Sequence, residues 1–499
     1  MNVIASARFM AALIAAAAPV VSPAHHAADS DGLHRQIEDI RRDAGVPGAA
    51  VVIVDRDGIV LADAFGVADN DSGAPVTLDT VFRIGSVTKI FTAVALVQLG
   101  RREDFSLDDS VSRHIPPGMF FNAWEGEQPV TVAHLLEHTS GFRDWTKAEF
   151  DHNVPLDLED GLAFAPRSRT SHWKPGLHSV YSNSNYGLAG LVLERVSGKR
   201  YETLIRESIF APLEMHSATS LQAGTHNLAT GYDRDGVTPI PYWHMIQRPA
   251  AAINATPREM ASLVSMLLND GSYKREPVLT PKEIARIESP RTSLAARNGL
   301  RFGYGLGIYA QYRDGFTFMG HGGDGDGYLS RFGYCRQLGV GYFVAINSVN
   351  PRALGRLRGA IEAEITRDHL PPPAPPIASP GKAWLGRYSG HYVLDAWRFD
   401  WQSDSSSQRR LMVTVADDGR LFIEERSAER EELFAVSGHA FRRSRDSGAT
   451  SGFFEDGERL YFQDGENWVK VEELAISDSA DAASREIDLT TRDAEDPGD

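Results

Sequence analysis

Ser86 and Lys89, three residues apart, have the types and spacing for acyl transfer. A serine hydroxyl attacks a carbonyl well only when a base removes its proton. Three residues along a helix bring Lys89 onto the face that carries Ser86. The same S-x-x-K spacing recurs at Ser171 with Lys174 and at Ser379 with Lys382. Pro175 and Gly176 follow the first of these, Pro380 and Gly381 interrupt the second, and such residues break the helical turn the pairing needs. Only Ser86 precedes a continuous apolar run, residues 90–99, which predicts a helix buried on most sides. Burial there would depress the lysine pKa and fit the amine to act as a base near neutral pH. The plainer reading is a capping serine followed by a surface lysine.

A site of this kind also needs a second proton handler, a side chain that binds the substrate amide, and an oxyanion hole. Tyr181 with Asn183, and His321 with Gly322 and Gly323, supply candidates. Residues 181–183 also read as a loop entering a helix over 186–196, with Ser182 or Asn183 as its cap. His321 also reads as a turn residue in the glycine-rich stretch 320–327. Gly322 and Gly323 would let a substrate lie close along a strand edge.

A rival chemistry is present in His134, Glu137 and His138, an H-x-x-E-H zinc-peptidase spacing. Against it, Thr139, Ser140 and Gly141 stop the helix at once, and Leu135 and Leu136 read as core anchors. Residues 324–327 begin like a calcium loop, yet Cys335 stands where a bidentate glutamate belongs. A G-x-S-x-G elbow is absent, which argues against an α/β-hydrolase.

The elements that must position these residues can be read from periodicity. Leu33, Ile37 and Ile40 keep helical spacing before Pro47 and Gly48. Residues 49–55 and 59–65 read as strands joined at Asp57 and Gly58. Thr256, Pro257 and Glu259, and again Thr280, Pro281 and Glu283, form capping boxes that open helices. Strand-like runs follow at 305–310, 316–319, 328–334 and 340–347, then a helix over 352–367. The sheet is thus expected from both ends of a unit spanning 30–368, with helices between. The prolines within 369–380 make a stiff linker. Beyond it, β-rich runs at 384–392, 411–415, 421–424, 460–463 and 468–471 alternate with Asp-Gly turns, which predicts a small antiparallel, barrel-like β domain over 381–475. Trp384, Tyr388 and Tyr392 read as its core.

A chain of 499 residues is expected to hold two or three domains. Its formal net charge of −16 excludes nucleic acid as a partner. Residues 476–499 are acidic and poorly apolar, and read as a disordered tail. Arg8 and the apolar stretch 9–21 before Ala24 have the pattern of a cleavable signal over 1–24. This predicts a periplasmic or secreted protein with no stable membrane anchor after cleavage. The single cysteine, Cys335, precludes an intramolecular disulfide and reads as a buried core thiol.

S-x-x-K, Y-x-N and H-x-G, in that order, resemble the three active-site elements of the serine β-lactamase and penicillin-binding-protein superfamily. The branch most resembled holds class C β-lactamases, D-aminopeptidases and related esterases. Residues 131–141 and 253–260 are similar to family stretches too, and the resemblance covers roughly residues 30–368. It implies an α/β (α+β) fold, a β-lactamase-like antiparallel sheet flanked by helices plus a helical subdomain. It further implies that Ser86 attacks the carbonyl, that Lys89 accepts or relays its proton, and that Tyr181, as phenolate or strong hydrogen-bond partner, is the base. Asn183 would contact the substrate amide. His321 and Gly323 would line the binding strand, and the main-chain N–H groups of Ser86 and Asp324 would form the oxyanion hole. No cofactor and no metal are implied. Class C enzymes carry lysine where this chain has His321, and an imidazole is mostly neutral at pH 7. The expected substrates are therefore small amides, peptides, including those with D-amino acids, or esters. A β-lactamase and a slow-turnover penicillin-binding sensor are the alternatives, and the oligomeric state stays open. Residues 142–173 and 242–246 are expected to wall the pocket, and the β domain to cover or shape its mouth.

Overall fold

Both ends of the first unit feed one antiparallel sheet. The computed structural model describes residues 30–472 apart from 145–148, 150, 223–226, 400–401, 403–408, 426–427 and 445. The expected signal and the acidic tail lie outside the described residues. In chain order the elements that matter here are α1 (Ser30–Asp43), β1 (Gly48–Asp55), β2 (Ile59–Gly66), α2 (Thr88–Leu99), α3 (Val132–Leu136), α4 (Asn183–Ser197) and α5 (Pro257–Leu268). Then come β3 (Tyr309–Arg313), β4 (Phe316–Gly325), β5 (Tyr328–Cys335), β6 (Val340–Ile346) and α6 (Pro351–Thr366). The sheet order is β3-β4-β5-β6-β1-β2, all neighbours antiparallel.

Strand alternation explains why β1 is apolar throughout. Ala50, Val52 and Val54 face one core, with α2 and α5, while Ala49, Val51 and Ile53 face a second core beneath α1 and α6. A strand covered on both faces needs a continuous apolar run. Cys335 is buried in the second core, as its thiol chemistry suggested.

Two strands differ from the sequence reading. The run expected at 305–310 pairs only from Tyr309 onward. The preceding residues press on the start of α2 instead: Gly307 has φ +73°, and a Cβ there would lie 2.7 Å from the Lys89 carbonyl oxygen. β4 is longer than the expected 316–319, because pairing with β5 runs on to Gly325 opposite Tyr328. The third element of the motif set is therefore strand. β3 pairs with β4 only as far as Gly320, so among the described residues no strand pairs with the β4 edge from His321 to Gly325 on that side.

Past the prolines, β7 (Gly390–Ala396), β8 (Arg410–Val415), β9 (Leu421–Glu425), β10 (Glu431–Ala435), β11 (Ala440–Arg442), β12 (Ser451–Asp456), β13 (Arg459–Gln463) and β14 (Asn467–Val471) close into an eight-stranded barrel. Tyr388, Tyr392, Phe441, Phe453 and Trp468 fill it, whereas Trp384 is 44% exposed and lies outside the core it was expected to join. The barrel docks firmly on the first unit. Leu177, Leu294 and Leu300 pack on Phe454, Tyr461 and Val469. Gln463 donates to the Leu177 carbonyl at 3.0 Å and accepts from the Ala295 N–H at 2.9 Å.

Leu357 is fully buried between α6 and the sheet. Leu357→Ala should lower the free energy of unfolding by about 2–5 kcal/mol, as large-to-small core changes do. The urea midpoint reports it, and Ser86 labelling by a serine-reactive probe in the folded protein should be unchanged.

Candidate active site

Ser86 lies in a short 3₁₀ turn, Gly85–Val87, that runs directly into α2. Every α2 residue from Thr88 to Val97 is buried, so Lys89 enters the interior with the helix. Its Nζ donates to Ser86 Oγ at 3.1 Å, to Asn183 Oδ1 at 2.7 Å and to the Ala250 carbonyl at 2.9 Å. Thr88 and Thr92 hold the segment that presents this carbonyl, through the Ile253 N–H and the Pro249 carbonyl. Burial drives the Lys89 pKa well below its ordinary 10.5, Asp144 opposes this and Arg398 adds to it. When the amine loses a proton, Asn183 and Ala250 can occupy its two N–H groups, leaving the lone pair for the Ser86 hydroxyl.

Asn183 opens α4, and a carboxylate behind it sets its orientation. Asp144 Oδ1 accepts from the Asn183 main-chain N–H at 2.6 Å, and Oδ2 accepts from its Nδ2 at 3.0 Å. A carboxylate only accepts, so the amide nitrogen must face Asp144 and the oxygen Lys89. The side chain implied as a substrate contact is thus largely engaged by the protein. Asp144 in turn meets Arg398, whose Nε and Nη2 lie 2.8 and 2.6 Å from Oδ2. The Asp144 N–H also donates to the Arg398 carbonyl at 2.7 Å. Neither Asp144 nor Arg398 stood out in the sequence. They lie 254 positions apart, one in the loop before α4 and the other just beyond β7, and no local pattern links them.

Tyr181 lies beside Ser86 and under the Arg398 guanidinium, 4.6 Å from ring centre to carbon. Lys89 Nζ is 4.8 Å from the same ring centre. Burial pushes the phenol pKa up, past the opposing pull of Ser86 and Arg398. The resting form is therefore the phenol, which corrects the phenolate expectation, while the role of strong hydrogen-bond partner to Ser86 remains open to it. Rings close in around Tyr181: His138 at 4.3 Å, His321 at 6.0 Å and Tyr304 at 6.1 Å between centres.

His321 is 3% exposed. Its Nδ1 is 2.5 Å from the Gly322 carbonyl and its Nε2 is 2.8 Å from Tyr304 Oη. A carbonyl can only accept, so Nδ1 carries the hydrogen and Nε2 accepts from the tyrosine. Burial, with Lys89 adding to it, takes the imidazole down to about 3. It is a neutral ring that holds Tyr304, with no charge to offer a ligand.

The two main chains expected to form an oxyanion hole are in contact because glycines allow it. Gly85 has φ +53°, and a Cβ there would fall 2.5 Å from the Asp324 nitrogen. A Cβ on Gly323 would fall 1.8 Å from the Ile84 carbonyl oxygen. Ser330 Oγ, on the neighbouring strand, donates to that same carbonyl at 2.8 Å. Asp324 still pairs with Leu329 in β4, and only Asp326 and Gly327 make the hairpin turn to β5, so the glycine-rich turn expected over 324–327 is confined to its second half.

The H-x-x-E-H residues are engaged separately. α3 ends at Leu136, and His138 lies beyond it at φ +58°. His134 Nδ1 accepts from the Thr131 N–H, closing the helix cap. Glu137 takes Arg286 and the main-chain N–H groups of Arg291 and Thr292, all at 2.7 Å. His138 Nδ1 meets the Ser182 N–H at 3.2 Å. This motif builds the wall behind Tyr181, a function its spacing did not indicate. Of the segments expected to wall the pocket, 142–173 supplies Asp144, and Tyr242 instead covers Arg83 at 4.6 Å.

The barrel reaches the site by two routes: Arg398, and a cavity of about 320 Å³ lined by Tyr181, Tyr304, Tyr309 and Leu300 on one side and by Gln463 and Asn467 on the other.

A family model described as Beta-lactamase matches residues 33–366. Among curated proteins, Protein flp of Staphylococcus aureus (strain MW2) is 30% identical over 231 residues, 45% of this chain and 46% of that protein. A D-aminopeptidase of Brucella anthropi is 29% identical over 315 residues, 62% of this chain and 57% of that protein. The chain spans about half the length of these curated relatives. Among solved structures, the octameric penicillin-binding protein homologue from Pyrococcus abyssi has a TM-score of 0.57 at 22% identity, covering 89% of this chain and all (100%) of that one. A Beta-lactamase/D-alanine carboxypeptidase from Yersinia pestis complexed with citrate has a TM-score of 0.56 at 22% identity, covering 68% of this chain and 98% of that one. At these identities the likeness is one of fold.

Gly323→Ala should force β4 away from Ile84 and slow acylation of Ser86 by about 100- to 1,000-fold, the scale of losing an oxyanion donor. Stopped-flow labelling reads this, with circular dichroism showing the fold retained. A pH effect follows from His321. Unfolded, it takes a proton below 6.5; folded, it resists down to about 3. The unfolded chain thus binds the extra proton in that window, and stability falls as pH drops from 6.5 toward 3. His321→Asn should make the fall in urea midpoint shallower, leaving the remainder to His134 and His138, which burial also depresses.

Proposed function

We propose, from the premise that this chain belongs to the Beta-lactamase family, that it is an exported serine hydrolase. It would work through an acyl-enzyme at Ser86 on small amides, peptides, including D-amino-acid peptides, or esters. The observation that carries this reading is the desolvated Lys89 amine 3.1 Å from Ser86 Oγ. A neutral amine there takes the hydroxyl proton as the oxygen attacks the substrate carbonyl. Tyr181, beside Ser86 as a phenol, gives its proton to the leaving group and is reprotonated from the Lys89 ammonium, so that the serine proton ends on the departing group. Once acyl transfer has occurred, the same pair activates water to release the acid. The negative charge on the carbonyl oxygen is met by the N–H groups of Ser86 and Asp324, worth about 2.7–4 kcal/mol for each donor in other hydrolases. The β4 edge from His321 to Gly325 receives an extended substrate by main-chain pairing.

The family membership supports a hydrolase, and the D-aminopeptidase relative supports amides within that class. His321 argues against efficient β-lactam hydrolysis, since a neutral buried ring supplies no cation for the antibiotic carboxylate. Export is proposed on the apolar N-terminal stretch alone.

A panel of D-aminoacyl amides with free and acylated amines, p-nitrophenyl esters and a chromogenic cephalosporin tests the reading. Turnover of an amide or ester that is abolished in Ser86→Ala is the expected result. High efficiency on the cephalosporin alone would reverse the ranking. Lys89→Arg should cost about 1,000-fold or more in kcat/KM, because a guanidinium stays charged and cannot take the proton.

A further inference from the structure

We propose that Arg398, delivered by the barrel, selects substrates by charge: it favours an acyl group bearing a carboxylate and disfavours one bearing a free α-ammonium. This rests on the hydrolase reading above and narrows its substrate class.

Arg398 and Asp144 form an ion pair whose two halves face different surroundings. The Asp144 side chain is 0% exposed and that of Arg398 is 40% exposed. Both carboxylate oxygens are taken, Oδ1 by the Asn183 main-chain N–H, and Oδ2 by Asn183 Nδ2 and the guanidinium. No acceptor on Asp144 is left to greet a ligand. Arg398 commits Nε and Nη2 to Asp144, and its Nη1 has no hydrogen-bond partner among the described residues. A planar guanidinium with a free donor edge is suited to a carboxylate.

Its place gives that charge a bearing on the reaction. The guanidinium lies 4.6 Å from the centre of the Tyr181 ring, and Tyr181 lies beside Ser86. Asp144 partly offsets that charge from its buried side, but the direct partners of Lys89 are neutral oxygens and His321 is a neutral ring, so on the exposed side the guanidinium is the charge that stands out. Asp324, near the end of β4, is the carboxylate that would favour an ammonium.

Binding can be measured without turnover in the Ser86→Ala protein, by calorimetric titration at pH 7 with N-succinyl-D-alaninamide, N-acetyl-D-alaninamide and D-alaninamide. We expect the succinyl ligand to bind at least about tenfold tighter than the ammonium ligand, a gap that shrinks at high salt as charge screening requires. Adding Arg398→Gln should bring the two within about threefold, and Arg398→Lys should keep the order. Circular dichroism checks that each variant is folded. If the Gln variant unfolds, the order of ligands and its salt dependence in the Ser86→Ala protein decide. Equal binding, no binding of any ligand, or an unchanged gap in a folded Gln variant overturns the proposal. So does tighter binding of the ammonium ligand that is lost in Asp324→Asn. Failure of the hydrolase reading shows itself separately, as hydrolysis that survives Ser86→Ala, and leaves the binding order to stand or fall by itself.

Discussion

Lys89 is fully buried, and the atoms it touches are three neutral oxygens. An ammonium in such a place loses its hydration without gaining a carboxylate in contact, so the charged form is disfavoured. Much of the architecture answers to that cost. α2 must be apolar around its whole circumference to carry the amine inside, which is why its sequence lacks a polar face. Asn183 must present oxygen and not nitrogen, which requires an acceptor behind it. Asp144 fills that place, and a buried carboxylate needs a cation of its own, supplied by Arg398. Each link is the physical answer to the one before.

The glycines follow a second logic, that of close approach. Gly85, Gly307 and Gly323 each stand where a Cβ would strike main chain, and all three lie around the Ser86–Lys89 turn. Gly307 seats the loop before β3 on α2, while Gly85 and Gly323 let the turn and β4 touch. The two N–H groups assigned to the oxyanion are therefore set by backbone against backbone, a contact that side-chain rotamers cannot loosen.

Ser86, Lys89, Tyr181, Asn183 and His321 were legible because each sits in a short pattern, and their order along the chain added information that no single pattern holds. They do gather in space. Asp144, Arg398, Tyr304 and His138 were not legible as site residues. Asp144 and Arg398 have meaning only as a pair, and folding alone brings them together. His138 was legible for the wrong reason, since its spacing to His134 suggested zinc while its ring serves as packing for Tyr181. The sheet was readable from apolar alternation, and the errors at 305–310 and 316–319 arose where glycine-rich stretches carry too little side-chain signal to mark where pairing starts or stops. In the barrel, β10, β11 and β12 escaped notice because each holds a short apolar pair next to charged or small residues: Glu431 and Glu432 in β10, a buried Arg442 in β11, and Ser451 and Gly452 in β12.

The docking of the barrel also has a bearing on synthesis. Ser86 and Lys89 emerge from the ribosome long before Arg398, and until β7 has folded against the first unit Asp144 lacks the guanidinium that Arg398 brings to it. One of the contacts that fix the carboxylate holding Asn183 toward Lys89 is then missing. An incomplete chain would carry Ser86 and Lys89 but not the Arg398 charge that acts on the lysine. The set of contacts around Lys89 is therefore completed last, once both units have folded onto each other.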